Sequence, residues 1–498
     1  MTASFRFPTP YTVIIIVIML SALATWLIPA GRYDALVYDE AQQEFVISRE
    51  GEERRVAATE AALDSLQIPV TLDKFAEGKI KKPISVPGTY KPVAASPQGV
   101  WAVIFAPIRG MYEAIDIILF VLIIGGFMGV FNRSGAFDAA IASLAQRLRG
   151  RESLLIVLVT TLIALGGTTF GLAEETLAFY PLLVPVFMAA GYDRLVPVAV
   201  IYIGSSIGNM GAIVNPFSTI VASDAAGVAW TTGLYSRLAM LLLGTALCIF
   251  YIIRYARRIK ANPARSLLLD PAAESPAETP GTHAAPQRIG GLHTLLLVLF
   301  ALTFVVMIIG VSFLHWWFEE MTALFLVAAV LIGLLQRIGE HNFIEAFLTG
   351  ARDLLGVSLI IGIARGVTIV LNEGQISDTL LFYAANGVEG MSSFFFLPAL
   401  MLIFFLLTLF ISSSSGLAVV TMPIMGSLAP IAGVGAEEIV NAYLFGFGLM
   451  TFITPTGLIL PSLAMVSVNY NVWLKFIWPL LVVLAVVAIG ILWAGLAF

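Results

Sequence analysis

Residues 165–176 read Leu-Gly-Gly-Thr-Thr-Phe-Gly-Leu-Ala-Glu-Glu-Thr, a polar segment with three glycines between two apolar arms. The arm before it, Ser153 to Leu165, would be about 20 Å long as a helix, whereas the hydrocarbon core of a bilayer is about 30 Å thick. Irregular backbone at that depth needs surrounding protein or water, and the adjacent carboxyl groups of Glu174 and Glu175 exclude a lipid-facing position. The segment therefore predicts a re-entrant hairpin over residues 153–190. The alternative is a kinked spanning helix with its glutamates among the lipid headgroups.

The composition is typical of a multi-pass membrane protein, for which we expect the bacterial inner membrane. Of the 498 residues, 59% are hydrophobic and 12% are charged, against about 25% charged in soluble domains. The single cysteine, Cys248, leaves no disulfide framework, and the four histidines lie in predicted loops or at helix ends, so we expect no haem or metal centre. No phosphate-binding P-loop is present, which argues against an ATP-driven pump. We expect no cofactor and no nucleic-acid partner.

The C-terminal half contains a second segment of the same kind. Apolar arms flank Ser412-Ser-Ser-Ser-Gly416, which predicts a second hairpin over residues 394–430. Each hairpin is followed by an apolar helix that glycine or proline interrupts. These broken helices are residues 196–226, with breaks at Gly204 to Gly211 and at Asn215-Pro216, and residues 439–468, with breaks at Gly446 to Gly448 and at Thr454 to Gly457.

Apolar runs and helical periodicity divide the rest of the chain into spanning and surface helices. Residues 31–96 are charged and predict a large periplasmic loop, and residues 261–290, rich in Pro, Ala, Glu and Ser, predict a disordered cytoplasmic linker. The predicted spanning helices are Tyr11 to Pro29, Ala114 to Phe131, Tyr235 to Tyr255, Leu292 to Phe313, Met321 to Leu335, Gly356 to Leu371 and Trp473 to Leu496. The predicted amphipathic helices are Gln98 to Glu113, Phe137 to Leu148, His341 to Asp353 and Ile376 to Ala385.

The order of elements in residues 1–260 recurs in residues 291–498 after a connecting helix, which indicates an internal duplication. Gly171-Leu-Ala173 in the first half, for example, matches Gly416-Leu-Ala418 in the second. One threading, with Arg237 as the exception, places on the cytoplasmic side Arg133, Arg147, Arg149, Arg151, Arg194, the Arg254 to Arg288 linker, Arg337, Arg352 and Lys475. In that threading the hairpins insert from opposite sides, as in many secondary transporters. The predicted fold is an all-α polytopic membrane protein with two inverted repeats, each holding a re-entrant hairpin and a broken helix.

The helix ends at the tips and breaks expose unpaired amide and carbonyl groups, which can hold anions and cations respectively. Side-chain hydroxyls and amides there can donate or accept hydrogen bonds, although each can also be part of a simple turn or proline kink. The two glutamates can attract a cationic substrate, hold a coupling ion or exchange a proton; Arg365 can pair with them or bind a substrate carboxylate. We interpret Asp116 as an interfacial residue or helix cap. The candidate binding residues are Thr168, Thr169, Gly171, Glu174, Glu175, Asn209, Asn215, Arg365, Ser412, Ser413, Ser414, Ser415, Thr454 and Thr456.

Several motifs resemble the YfcC branch of the anaerobic four-carbon dicarboxylate carrier (DcuC-type) family. They are Gly167 to Thr176, Phe179-Tyr-Pro181, Asn215-Pro-Phe217, Ile363-Ala-Arg-Gly366 and Thr421-Met-Pro-Ile-Met425. The second tip departs from the Pro-Ser-Gly-Ser-Gly form expected of that family. The resemblance implies membership of the ion transporter superfamily, in which a dimeric elevator moves hairpins and broken helices against a fixed scaffold. It also implies carriage of dicarboxylates or of basic amino acids.

The sequence as a whole predicts a secondary active transporter of a small carboxylate-bearing solute and not an enzyme. A basic amino acid such as arginine or ornithine is the first candidate, because Glu174 and Glu175 can receive its cationic side chain; a C4-dicarboxylate such as succinate or fumarate is the alternative. Exchange or coupling to protons or sodium would drive transport, with sodium sites expected near the hairpin tips. A passive channel and a membrane-embedded enzyme are the alternatives of other classes.

Overall fold

The computed structural model describes residues 9–39, 42–49, 52–68, 70–76, 83–136, 139, 152–268, 290–314, 316–426 and 428–496. Within them the chain is mostly helical. The predicted helix Phe137 to Leu148, apart from Ala139, and most of the predicted linker, residues 261–290, lie outside the described residues. Eight helices are long and apolar enough to cross a bilayer: Pro10–Leu27 (α1), Ile115–Asn132 (α5), Glu152–Phe170 (α6), Leu234–Ala261 (α10), Phe318–Leu335 (α12), Glu340–Glu373 (α13), Ser393–Phe410 (α15) and Tyr470–Gly495 (α20).

Shorter helices complete the helical part of the described chain. They are Glu60–Ser65 (α2), Leu72–Ala76 (α3), Val100–Glu113 (α4), Tyr180–Ala189 (α7), Leu195–Met210 (α8), residues 216–225 (α9), Gly291–Phe313 (α11), Ser377–Val388 (α14), Ser414–Gly426 (α16), Ala429–Ala432 (α17), Ala436–Thr451 (α18) and Ile459–Met465 (α19). A 3-10 turn, Glu174–Phe179, precedes α7.

The scaffold is centred on α13, which packs along α4 and α5. The sequence predicted two helices here, His341 to Asp353 and Gly356 to Leu371, but α13 is one helix of 34 residues. Its glycines let the helices cross closely, since a Cβ on Gly350 would overlap the carbonyl oxygen of Gly125. At about 51 Å, α13 exceeds the hydrocarbon thickness and must tilt or extend beyond it.

Residues 31–92 fold into a small β domain, so the predictions of an all-α fold and of a loop over residues 31–96 are wrong. Its strands are Gly31–Arg32 (β1), Ala35–Asp39 (β2), Glu44–Arg49 (β3), Glu52–Ala57 (β4), Ile84–Ser85 (β5) and Lys91–Pro92 (β6). Four of them form an antiparallel sheet with the order β4-β3-β2-β5, and β1 pairs with β6. Phe45, Phe75 and Ile84 are buried in a core separate from that of the helices.

The first hairpin is formed by α6 and α7, whose outer ends lie side by side. Lys260 Nζ is 2.8 Å from Glu152 Oε1 at the start of α6 and donates to the carbonyl oxygen of Ala190, just after α7, at 3.4 Å. The chain therefore returns to the side where it began. The first arm is longer than the sequence suggested, however, because α6 continues through Gly166 and Gly167 to Phe170 and the tip begins only at Gly171.

The second hairpin, made of α15 and α16 with the short α17, closes in the same way. Ser393 Oγ, at its first residue, donates to the carbonyl oxygen of Ala432, at its last residue, at 2.7 Å. The tip between the arms comprises residues 411–413. The two hairpins thus have the same arrangement. Polar residues form each tip, and a polar contact joins the outer ends of the two arms.

The broken helices run through Gly204, Gly208, Gly446 and Gly448, so the predicted interruptions at these glycines are wrong. The first break covers residues 211–215, between α8 and α9, and the second covers residues 452–458, between α18 and α19. The glycines serve helix packing: a Cβ on Gly446 would lie 2.9 Å from Phe404 Cβ, and one on Gly448 would lie 2.8 Å from Met210 Cα. Both predicted proline motifs do lie in or next to the breaks.

Candidate functional site

A cavity of about 580 Å³ lies where the hairpin tips, the helix breaks and the scaffold meet. Twelve of the predicted binding residues line it. They are Gly171, Glu174, Glu175, Asn209, Asn215, Arg365, Ser412, Ser413, Ser414, Ser415, Thr454 and Thr456. Residues as far apart in the chain as Gly171 and Thr456, which are 285 positions apart, therefore line the same cavity.

Thr168 and Thr169 do not line this cavity. Thr168 is buried, and its Oγ1 donates to the carbonyl oxygen of Gly211 at 2.8 Å and accepts from Ile213 N at 3.0 Å. Thr169 Oγ1 donates to the carbonyl oxygen of Leu165, one turn back, at 2.6 Å. Thr168 therefore joins the last turn of α6 to the first break, and the Thr169 hydroxyl bonds within its own helix.

Asparagine side chains hold the first tip against the first break. Gly171 has φ +78°, a left-handed conformation that favours glycine, and a Cβ there would lie 2.8 Å from Asn215 Oδ1. Asn215 Nδ2 donates to Asn209 Oδ1 at 2.8 Å, while Asn215 Oδ1 accepts from the N–H groups of Phe217 and Ser218 at the start of α9. Asn215 is thus a helix cap that also positions Asn209.

Glu174 and Glu175 follow the tip directly and occupy different environments. Glu175 is only 7% exposed, and its Oε2 accepts a hydrogen bond from Ala173 N at 3.1 Å. Glu174 is half-buried and lines the same cavity. The 3-10 turn that begins at Glu174 fixes both carboxyl groups relative to the tip.

The serine tip of the second hairpin reaches the elements of the first half. Ser414 Oγ donates to the carbonyl oxygen of Phe217 at 3.3 Å, and the carbonyl oxygen of Ser414 accepts from Tyr443 Oη at 2.8 Å. Ser413 Oγ accepts from Gly416 N at 3.2 Å in the first turn of α16. The start of α16 therefore lies at the cavity wall.

The second break brings two threonine hydroxyls together. Thr454 and Thr456 are buried, and their Oγ1 atoms lie 2.7 Å apart. Thr456 Oγ1 also donates to the carbonyl oxygen of Leu409 at 3.0 Å, which joins the second break to the end of α15. One side of the cavity is thus lined by hydroxyl groups of defined orientation.

Arg365 extends into the cavity from α13 and is half-buried. Within the described chain it makes no ion pair with Glu174, Glu175 or any other carboxyl group. The structural ion pair that the sequence left open is therefore absent in this conformation. The guanidinium faces the cavity with its donors available to a bound carboxylate.

The cavity contains functional groups that the sequence analysis did not select. Glu113 and Asp116 line it from the junction of α4 and α5, so the interpretation of Asp116 as only an interfacial residue or cap is incomplete. The sequence did contain a signal for this pair. It consists of two acidic residues, three positions apart, at a helix junction in an apolar region. Aromatic side chains add to the lining, and Trp317 packs edge-on against Phe217 with ring centroids 4.8 Å apart.

The sequence matches the model of a family described as C4-dicarboxylate anaerobic carriers over residues 7–496. An uncharacterized protein of Haemophilus influenzae is 40% identical over 481 residues, which cover 96% of this chain and 94% of that protein. An Escherichia coli protein named "Putative basic amino acid antiporter YfcC" is 27% identical over 493 residues, covering 95% of this chain and 93% of that one. The crystal structure of the YdaH transporter of Alcanivorax borkumensis aligns over 99% of both chains with a TM-score of 0.40 and 15% identity.

Proposed function

The chain belongs to the C4-dicarboxylate anaerobic carrier family, and from that premise we propose that it is a secondary active transporter of basic amino acids such as arginine and ornithine. The cavity at the hairpin tips is the proposed substrate site. The bacterial inner membrane is the proposed location.

The charge of the cavity supports a cationic substrate. Four carboxyl side chains, those of Glu113, Asp116, Glu174 and Glu175, and the single guanidinium of Arg365 are the charged groups among its described lining. An ammonium or guanidinium group would gain from this excess of negative charge, while a second substrate carboxylate would be repelled. The name of the Escherichia coli relative, a basic amino acid antiporter, agrees with this choice.

The α-carboxylate of the substrate has its own candidate partners. Arg365 can bind it through two parallel hydrogen bonds, and the partial positive charge at the N-terminus of α16, which begins at the cavity, can also attract it. The cavity therefore holds groups that can bind an anion and groups that can bind a cation. A zwitterion with an additional positive charge fits this distribution.

An elevator mechanism would carry the site across the membrane, with the hairpins and broken helices moving along the α4, α5 and α13 scaffold. Two observations support it: each hairpin returns to the side of its first residue, and the cavity lies between the scaffold and the two tips. Exchange or coupling to a proton or sodium would drive the cycle, with Glu175 as the candidate proton acceptor. We further propose that the carrier is a homodimer, to be tested by its mass in detergent.

Counterflow in proteoliposomes tests this proposal. Vesicles loaded with arginine should accumulate labelled arginine, ornithine and lysine, with saturation and without unitary current. Failure of all three together with exchange of succinate and fumarate would favour the dicarboxylate that the family description names. Unitary currents would instead favour a channel. Repeating the assay with and without sodium, and with an imposed pH gradient, identifies the coupling ion.

A further inference from the structure

The β domain is fastened to the scaffold at the two points where the chain joins it. It follows α1 and precedes α4, and the two connections are joined because Val93 N donates to the carbonyl oxygen of Ala30 at 3.0 Å. Gly31 N donates to the carbonyl oxygen of Gln375, directly after α13, at 2.9 Å. We therefore expect the domain to remain with α1, α4 and α13 when other elements move.

The β domain also contacts the second hairpin. Val419, in α16, is 2% exposed and belongs to the core of the β domain together with Leu36 and Ile84. Strand β5 packs on α16, and Val221 of α9 packs against the same core. One hydrophobic core thus includes scaffold-bound residues and residues of the elements that line the cavity.

We propose that Val419 is a latch that holds the second hairpin in the conformation described here and must leave the β-domain core in each transport cycle. The proposal rests on the proposed function, because only hairpins that move along the scaffold have to open this contact. Protein cores are close-packed and do not stretch, so Val419 is either inserted or withdrawn. The latch favours one end state of the carrier by the free energy of burying this side chain.

Cross-linking tests the latch. A thiol-specific cross-link between Ile84→Cys and Val419→Cys, in a Cys248→Ser background, joins the β domain to the hairpin and should abolish arginine counterflow until it is reduced. The matched cross-link between Arg32→Cys and Gln375→Cys joins the domain to the scaffold and should leave transport within about twofold of the uncross-linked chain. Wild-type transport by the first cross-linked chain, or arrest by the second, overturns the proposal.

Hydrogen exchange tests it without a transport assay. Val419→Ala should raise amide exchange in β5 about tenfold, because the latch loses roughly two buried carbon groups. Ile424→Ala is the control, since Ile424 lies in the same helix and is buried in the core of the helices. Equal exchange in the two variants would contradict the latch.

The two assays separate failure of the latch from failure of the proposed function. If reduced, uncross-linked protein carries none of the tested solutes, the proposed function is wrong. If it transports arginine and β5 exchange during turnover equals that without substrate, transport stands and the latch is refuted.

Discussion

The carboxyl groups of Glu174 and Glu175, at the first tip, differ in burial, and we expect them to differ in function. Glu175 is buried and bound by Ala173 N, which anchors it to the backbone, whereas Glu174 is more exposed to the cavity. We expect Glu174 to contact the cationic group of the substrate directly. We expect Glu175 to hold the conformation of the tip and to accept a coupling proton.

Glu174→Gln should raise the KM for arginine by about tenfold or more, because a charge-assisted hydrogen bond contributes roughly 1.5–3 kcal/mol. Glu175→Gln should reduce the maximal rate as well as affinity. Counterflow kinetics measure both, and Glu389→Gln, at an exposed residue remote from the cavity, is the control. Unaltered kinetics in both tip variants would remove these residues from the mechanism.

Asp378, at the start of α14, makes docking of the β domain depend on pH. Its Oδ2 accepts from Tyr33 N at 3.0 Å, and burial raises the pKa of this carboxyl group. A raised pKa in the docked state means that docking is fully stabilised below the ordinary carboxyl pKa and weakens as pH rises through the raised value. Asp378→Asn should abolish this dependence. The protection of the Tyr33 amide from exchange, corrected for intrinsic rates, measures it, and an unchanged pH profile in the variant would contradict the assignment.

At the scale of elements, the same glycines that predicted breaks turn out to permit close packing. A Cβ on Gly167 would lie 2.9 Å from the carbonyl oxygen of Ser205, so this glycine marks the crossing of α6 and α8. Composition alone does not distinguish a helix break from a helix crossing, because both require a missing side chain. Asn215-Pro216 and Thr454-Pro455 were more informative, since proline removes a backbone donor wherever it lies.

Gly350→Ala should destabilise the scaffold by about 1–3 kcal/mol, because the added methyl group meets the backbone of α5. It would overlap the Gly125 carbonyl oxygen and lie 2.8 Å from Gly129 Cα. Gly490→Ala is the control, since nothing lies within 4 Å of a Cβ at that position of α20. Thermal unfolding in detergent should show a lower midpoint for the first variant alone. Equal midpoints would show that the crossing can widen without cost.

Arg237, the exception to the predicted charge asymmetry, has a structural explanation at the scale of the whole molecule. It is fully buried and donates to the carbonyl oxygens of Trp230, Thr232 and Gly233 at the start of α10. Its charge thus neutralises backbone acceptors within the fold. The positive-inside rule describes loop charges, so a residue used in this way does not count against the predicted threading.

Cysteine labelling tests that threading. In a Cys248→Ser background, Ala61→Cys in the β domain should react with a membrane-impermeant maleimide added to intact cells, and Ala264→Cys, after α10, should not. Both alanines are exposed, so access to the reagent and not burial decides the result. The reverse labelling pattern would invert the predicted topology, and reaction at both positions in intact cells would refute it.

Much of the helical part and most of the candidate site could be predicted from the sequence, because apolar runs and membrane-depth polar residues carry strong signals. The β domain was missed, although Glu44-Phe-Val-Ile-Ser-Arg49 contains a run of aromatic and β-branched residues of the kind found in strands. We predicted a loop over residues 31–96 because this segment contains many charged residues. Glu113 and Asp116 were not selected because their place at the cavity depends on packing between distant helices.

The pairing of β1 with β6 has a consequence for how such a carrier could change over evolutionary time. Since Ala30 and Val93 are hydrogen-bonded neighbours, the β domain leaves the helical part of the chain and rejoins it at adjacent points. Sites of this kind tolerate gain or loss of a module without a gap in the host. A lineage could acquire, exchange or discard this unit in a single genetic event while α1 and α4 keep their register.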